Sequence, residues 1–164
     1  MQALGRHLLL ELFDCDAEAL NSLETVKASM VEAAKRAQAT IVDVVFHEFN
    51  PFGISGVVVI AESHLAIHTW PEYRYAAVDV FSCGDVLQPQ TAANYLVEQL
   101  GARRASVVEL QRGIFLQAAP MPHKPAGAKM PVAKVSVANV PSAKVPSAKV
   151  PGTKVSGAKV PVGG

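Results

Sequence analysis

This 164-residue chain has only two cysteines, one tryptophan and three tyrosines, and no acidic residue after Glu109. Each scarcity excludes something. Cys15 and Cys83 stand far apart in unrelated contexts, without the paired spacing of a zinc knuckle or a disulfide framework. Both are expected as free thiols in a reducing compartment. No apolar run reaches membrane-spanning length: Leu8-Leu9-Leu10 is broken at Glu11 and is too short for a secretory signal. A cytoplasmic protein with no membrane contact is the expectation.

The missing acids at the C-terminal end divide the chain. Residues 1–116 hold all fourteen acidic residues against eight basic ones, a net charge of −6, whereas the seven lysines from Lys124 to Lys159 meet no acid. From Ala128 the sequence repeats every five residues, as in Ala133-Lys134-Val135-Ser136-Val137 and Ala158-Lys159-Val160-Pro161-Val162. Recurrent proline opposes a helix, and small residues with spaced lysine cannot bury a core. The reading is a domain over 1–116 followed by a disordered repeat tail over 117–164. A tail of this charge could contact nucleic acid or another polyanion, but no aromatic residue is interleaved to stack on bases. A solvated extension is favoured.

Within the body, hydrophobic period assigns the elements. Residues 7–13 read as a strand. A helix follows from Asp16 to about Ala39, with Leu20, Leu23, Val26, Met30 and Ala33 at helical spacing. Thr40 to Phe49 is a strand, Asn50-Pro51-Phe52-Gly53 a turn, and 55–60, 64–70 and 76–82 are three further strands. A second helix runs from Gln88 to Leu100 before Gly101, and 105–110 is a last strand. The order β-α-β-β then β-β-α-β implies an α+β fold, a two-layer sandwich with a mainly antiparallel sheet and helices on one face. The bare face needs cover, so a homodimer or higher homo-oligomer is expected.

The chemistry concentrates in Glu62-Ser63-His64-Leu65-Ala66-Ile67-His68-Thr69-Trp70-Pro71-Glu72. Pairing through a five-residue turn at 71–75 sets Ser63 opposite Cys83. A tight turn at Ala61-Glu62-Ser63 sets Ser55 opposite Thr69 and beside His68. Strict alternation puts Ser63 and His68 on opposite faces, so the turn must aim Ser63 out of register. A hydrolase lacks its Gly-x-Ser-x-Gly elbow here. A metal site is not expected, because His64 and His68 lie about 13 Å apart along one strand.

Glu62-Ser63-His64-Leu65, Ile67-His68-Thr69-Trp70-Pro71-Glu72-Tyr73, Tyr75 to Phe81 and Cys83-Gly84 resemble the core of the prokaryotic S-adenosylmethionine decarboxylase proenzymes. Leu4-Gly5-Arg6-His7, Phe46-His47, Gly53 to Ile60 and Arg112-Gly113 extend the resemblance over residues 1–116. The resemblance implies autocatalytic cleavage between Glu62 and Ser63. This would give a β chain of residues 1–62 and an α chain that begins with a pyruvoyl cofactor made from Ser63. That group would hold the substrate amine as a Schiff base while carbon dioxide leaves, in a reaction feeding polyamine synthesis.

By the same resemblance His68 is the processing base, Ser55 assists processing, Cys83 is the proton donor, and Glu72 and Phe49 bind substrate. Taken alone, each of these residues also reads as an ordinary turn, strand or core position. The chain departs from the family pattern at Ala61, Ala66 and Arg74. Arg74 could pair with Glu72 or meet a substrate carboxylate, which keeps a pyruvoyl-dependent arginine or ornithine decarboxylase open as an alternative. A non-catalytic polyanion-binding protein is the second alternative.

Overall fold

The computed structural model describes residues 2–83 and 86–115, so the repeat segment 117–164 lies outside the described residues. Its strands are β1 (Gln2–Phe13), β2 (Ile41–Glu48), β3 (Ile54–Ile60), β4 (Ser63–Trp70), β5 (Tyr75–Ser82) and β6 (Arg104–Phe115). The helices are α1 (Ala17–Leu20), α2 (Leu23–Arg36) and α3 (Pro89–Gln99). The strands form one antiparallel sheet in the order β2-β3-β4-β5-β1-β6.

Period-2 alternation selects the buried face. Leu8, Leu10 and Leu12 of β1, Leu65 and Ile67 of β4, and Ala76, Val78 and Val80 of β5 are buried. They form one core with Val26, Met30, Ala33 and Ala34 of α2 and Ala92, Ala93 and Leu96 of α3. Burying one such leucine contributes about 2 kcal/mol, so this layer dominates the stability of the sheet. The α+β sandwich with helices on one face is therefore observed, in the expected element order.

The single helix expected over 16–39 is instead two. Asp16 caps α1 by accepting from the Glu18 and Ala19 amides, and Ser22 caps α2 by accepting from the Thr25 amide. Two capping side chains six residues apart each start a helix, a signal the unbroken hydrophobic spacing concealed.

Among the described residues the other face carries no helix. Antiparallel partners share a face, so the register defines rows that cross the sheet. Val45, Val57, Ala66, Asp79, Leu9 and Val108 make one such row through all six strands. Among the described residues no helix is long and apolar enough to cross a membrane.

Candidate functional site

Both hairpins flanking β4 sit one residue away from the expected register. Ile60 pairs with Ser63 across a two-residue turn, Ala61-Glu62, and Ser55 lies directly opposite His68. On the other side Trp70 pairs with Tyr75, around a turn of one 3₁₀ segment (Pro71–Tyr73) and the left-handed Arg74. Ser63 therefore faces Ser82, not Cys83. Cys83 is instead bound to Glu62: its backbone N–H donates to the Glu62 carbonyl oxygen at 2.8 Å.

That correction bears on chemistry, because the Glu62 carbonyl belongs to the Glu62–Ser63 peptide bond. The turn is held from its other side as well. The Ala61 amide donates to the Thr40 carbonyl at 2.9 Å, and the Glu62 carboxylate accepts from the Thr40 amide at 3.4 Å. Ser63 has φ +148°, in a region that side chains other than glycine rarely occupy. Such a conformation costs on the order of 1–3 kcal/mol. The Cys83 thiol lies over Gly5, where a Cβ would come within 3.2 Å of Sγ and 2.7 Å of the Ser82 carbonyl oxygen. Only a glycine leaves that space.

Five residues along β4, the Ser55 hydroxyl and His68 Nδ1 are 2.6 Å apart. They open on a cavity of about 340 Å³ that is also lined by Phe49, Phe52, Thr69, Trp70 and Glu72. Four sequence-selected residues, Ser55, His68, Phe49 and Glu72, are thus gathered in one place. Ser63, Glu62 and Cys83 form a second cluster at the opposite end of β4. At strand rise, Ser63 and His68 of one chain are about 17 Å apart.

Arg74 does not pair with Glu72. Its Nε donates to the Cys15 carbonyl at 2.8 Å, while the Cys15 amide donates to the Arg74 carbonyl at 2.9 Å. The side chain is tied to the backbone and leaves the Glu72 carboxylate without an ion-pair partner among the described residues.

Sequence reasoning passed over His7. It shares a row with His64 and Phe81, with ring centroids 5.2 Å from Phe81, and the Phe81 and His64 rings are 5.8 Å apart. Arg112 Nη1 lies 3.0 Å from His7 Nδ1, which makes that nitrogen the acceptor and places the ring proton on Nε2. Nε2 is buried without a hydrogen bond, 3.6 Å from an Asp79 oxygen. Desolvation, the largest influence, lowers the His7 pKa; Asp79 opposes it, and Arg112 and His64 reinforce it. His7 stays neutral at neutral pH. Its place in Leu4-Gly5-Arg6-His7 was the available signal.

Two clusters at opposite ends of β4, one around a strained serine and one around a paired serine and histidine, invite comparison with known proteins. The S-adenosylmethionine decarboxylase family matches residues 6–113. The chain belongs to that family. An S-adenosylmethionine decarboxylase proenzyme of Thermodesulfovibrio yellowstonii is 59% identical over 125 residues, covering 76% of this chain and 93% of that protein. The proenzyme of Acidithiobacillus ferrooxidans is 53% identical over 113 residues, covering 69% and 85%. The crystal structure of the adenosylmethionine decarboxylase from Aquifex aeolicus superimposes with a TM-score of 0.68 at 35% identity, covering 74% of this chain and all of that one. In this S-adenosylmethionine decarboxylase family member, no group of three or more His, Cys, Asp or Glu among the described residues could hold a metal ion.

Proposed function

We propose that the chain is a precursor that cuts itself between Glu62 and Ser63 and then, as a pyruvoyl-dependent carboxy-lyase, releases carbon dioxide from S-adenosylmethionine. One observation carries the reading: a serine held at φ +148° next to a carbonyl that already accepts a backbone N–H. Attack by the Ser63 hydroxyl on the Glu62 carbonyl carbon replaces the peptide C–N bond by an ester C–O bond and frees the Ser63 amine. Negative charge then builds on the Glu62 oxygen, where the Cys83 N–H is aimed. Removing one such donor typically slows acyl transfer about 10²- to 10³-fold. The peptide link also loses the strained φ as it becomes an ester. Elimination releases Glu62 as a carboxylate, and loss of ammonia to water leaves a pyruvoyl group on the former Ser63.

That group supplies an electrophilic carbonyl that takes up the substrate amine and accepts the electrons released with carbon dioxide. The side chains around it bind and move protons. Cys83, beside Gly5, delivers a proton to carbon. Glu72, unpaired in its cavity, accepts from ribose hydroxyls, and the exposed Phe49 ring offers its face to the sulfonium or the adenine. The product is the aminopropyl donor of polyamine synthesis.

The paired Ser55 and His68 cannot serve Ser63 of their own chain across about 17 Å. They act from a second copy. The row Val45, Val57, Ala66, Asp79, Leu9 and Val108 is apolar but for Asp79, and Val45 and Val108 are exposed. Two such faces stacked about a two-fold axis over Ala66, midway along β4, set the Ser63 end of one protomer over the His68 cavity of the other. Each active site then draws on both chains.

Purified protein should run as fragments 1–62 and 63–164 on a denaturing gel, and Ser63→Ala should stay whole. Carbon dioxide should be released from S-adenosylmethionine and not from arginine or ornithine. An intact wild-type chain, or turnover of an amino acid alone, overturns the proposal.

A further inference from the structure

The cavity wall that carries Phe49 and Phe52 is a loop, and the structure shows what fixes it. The Phe49 amide donates to the Gly53 carbonyl at 2.8 Å, closing the loop on itself. The Gly53 amide donates outward to Asn21 Oδ1 at 3.2 Å, so one backbone unit links Phe49 to the residue that ends α1. Gly53 has φ +102°, and a Cβ there would stand 3.1 Å from the Thr69 carbonyl oxygen, so the loop passes close against β4.

Thr69 completes the connection from beneath. Its side chain is buried, and its hydroxyl accepts from the Ile54 amide at 2.8 Å while donating to the Leu20 carbonyl at 2.9 Å. That carbonyl lies at the end of α1, where backbone acceptors lack intrahelical partners. The hydroxyl thus joins the end of α1, the start of β3 and the end of β4 at one point, directly under the loop.

We propose that Asn21 and Thr69 form a clamp that positions the Phe49 wall for substrate, with Asn21 acting through Gly53. Neither residue needs to touch the substrate. The inference rests on the cavity being the substrate site, and the loop's side-chain anchors are otherwise unexplained by its local sequence. Asn21 is exposed and has φ −98°, an ordinary backbone conformation, so its replacement leaves the core intact.

The test compares Asn21→Ala, Asn21→Asp, Phe49→Ala and the double variant Asn21→Ala/Phe49→Ala, each as the cleaved full-length enzyme with S-adenosylmethionine as substrate. Loss of one neutral hydrogen bond that orders a wall should raise KM about five- to tenfold with a smaller change in kcat. Asn21→Asp retains the acceptor and should recover most of the wild-type KM. The double variant should match Phe49→Ala, because Asn21 has nothing left to position. A lowered melting temperature with KM unchanged, a fully additive double variant, or an Asn21→Asp no better than Asn21→Ala overturns the clamp. Phe49→Ala with a wild-type KM overturns instead the reading of the cavity on which the clamp rests.

Discussion

A mixture of two dead precursors should cut itself. In Ser63→Ala the nucleophile is gone, and in His68→Ala the base is gone, so each alone should remain whole. The structure sets the reason: five residues of extended strand separate the two side chains by about 17 Å, whereas proton transfer needs heavy atoms about 3 Å apart. Loss of a positioned base typically costs about 10²- to 10⁴-fold in rate, enough to leave either precursor uncut through a purification. Co-expression in equal amounts gives a mixed pair in about half of two-fold dimers. Each mixed pair contains one complete site, built from Ser63 of the His68→Ala chain and His68 of the Ser63→Ala chain. About a quarter of all chains should therefore be cleaved, and intact mass should place every cut on chains bearing His68→Ala. No cleavage in the mixture, or cleavage of His68→Ala alone, refutes processing between chains.

Two other outcomes follow from packing and titration. Gly5→Ala sets a Cβ 2.7 Å from the Ser82 carbonyl oxygen and 2.9 Å from the Phe81 ring. It should cost about 1–3 kcal/mol in a denaturant melt, as overpacking does, and lower decarboxylation by displacing Cys83; wild-type stability and turnover together would contradict the close approach. Cys15 is fully buried, and desolvation first, then Asp14, pushes its pKa up to about 11. Because the raised pKa keeps the thiol protonated, peptide mapping should find Cys15 unalkylated at pH about 8 and modified only as pH nears 11 or in denaturant. Rapid modification of the folded protein at the lower pH would show that the site opens.

The layer architecture was legible because it depends on period alone: Leu8, Leu10 and Leu12 alternate inward, and Val26, Met30 and Ala33 recur on one helical face. So was the neighbourhood of Ser55 and His68, which survives a shift of one residue. What was not legible was the shift itself. Register is set by turn geometry, and the turn at Ala61-Glu62 carries no glycine or asparagine to announce a two-residue loop. Its positive φ falls on Ser63, just past the loop. At the other hairpin a left-handed arginine, Arg74, stands where the turn would favour glycine. Each slip moved a partner by one position, and the second moved Cys83 from the serine to the carbonyl that the serine would attack. The break between α1 and α2 was hidden for a related reason. Asn21 and Ser22 interrupt the backbone without interrupting the hydrophobic stripe.

The strand order also decides what would follow the proposed cut between Glu62 and Ser63. The N-terminal fragment keeps β1, β2 and β3, and the C-terminal fragment keeps β4, β5 and β6. In the sheet, however, β1 lies between β5 and β6. The N-terminal fragment is thus threaded through its counterpart, and three of the five seams between neighbouring strands join one fragment to the other. Scission frees two chain ends but no element of the core, since Leu8, Leu10 and Leu12 remain locked against Val78 and Val80. The two pieces would be woven together, so a precursor cut at that bond would mature without coming apart.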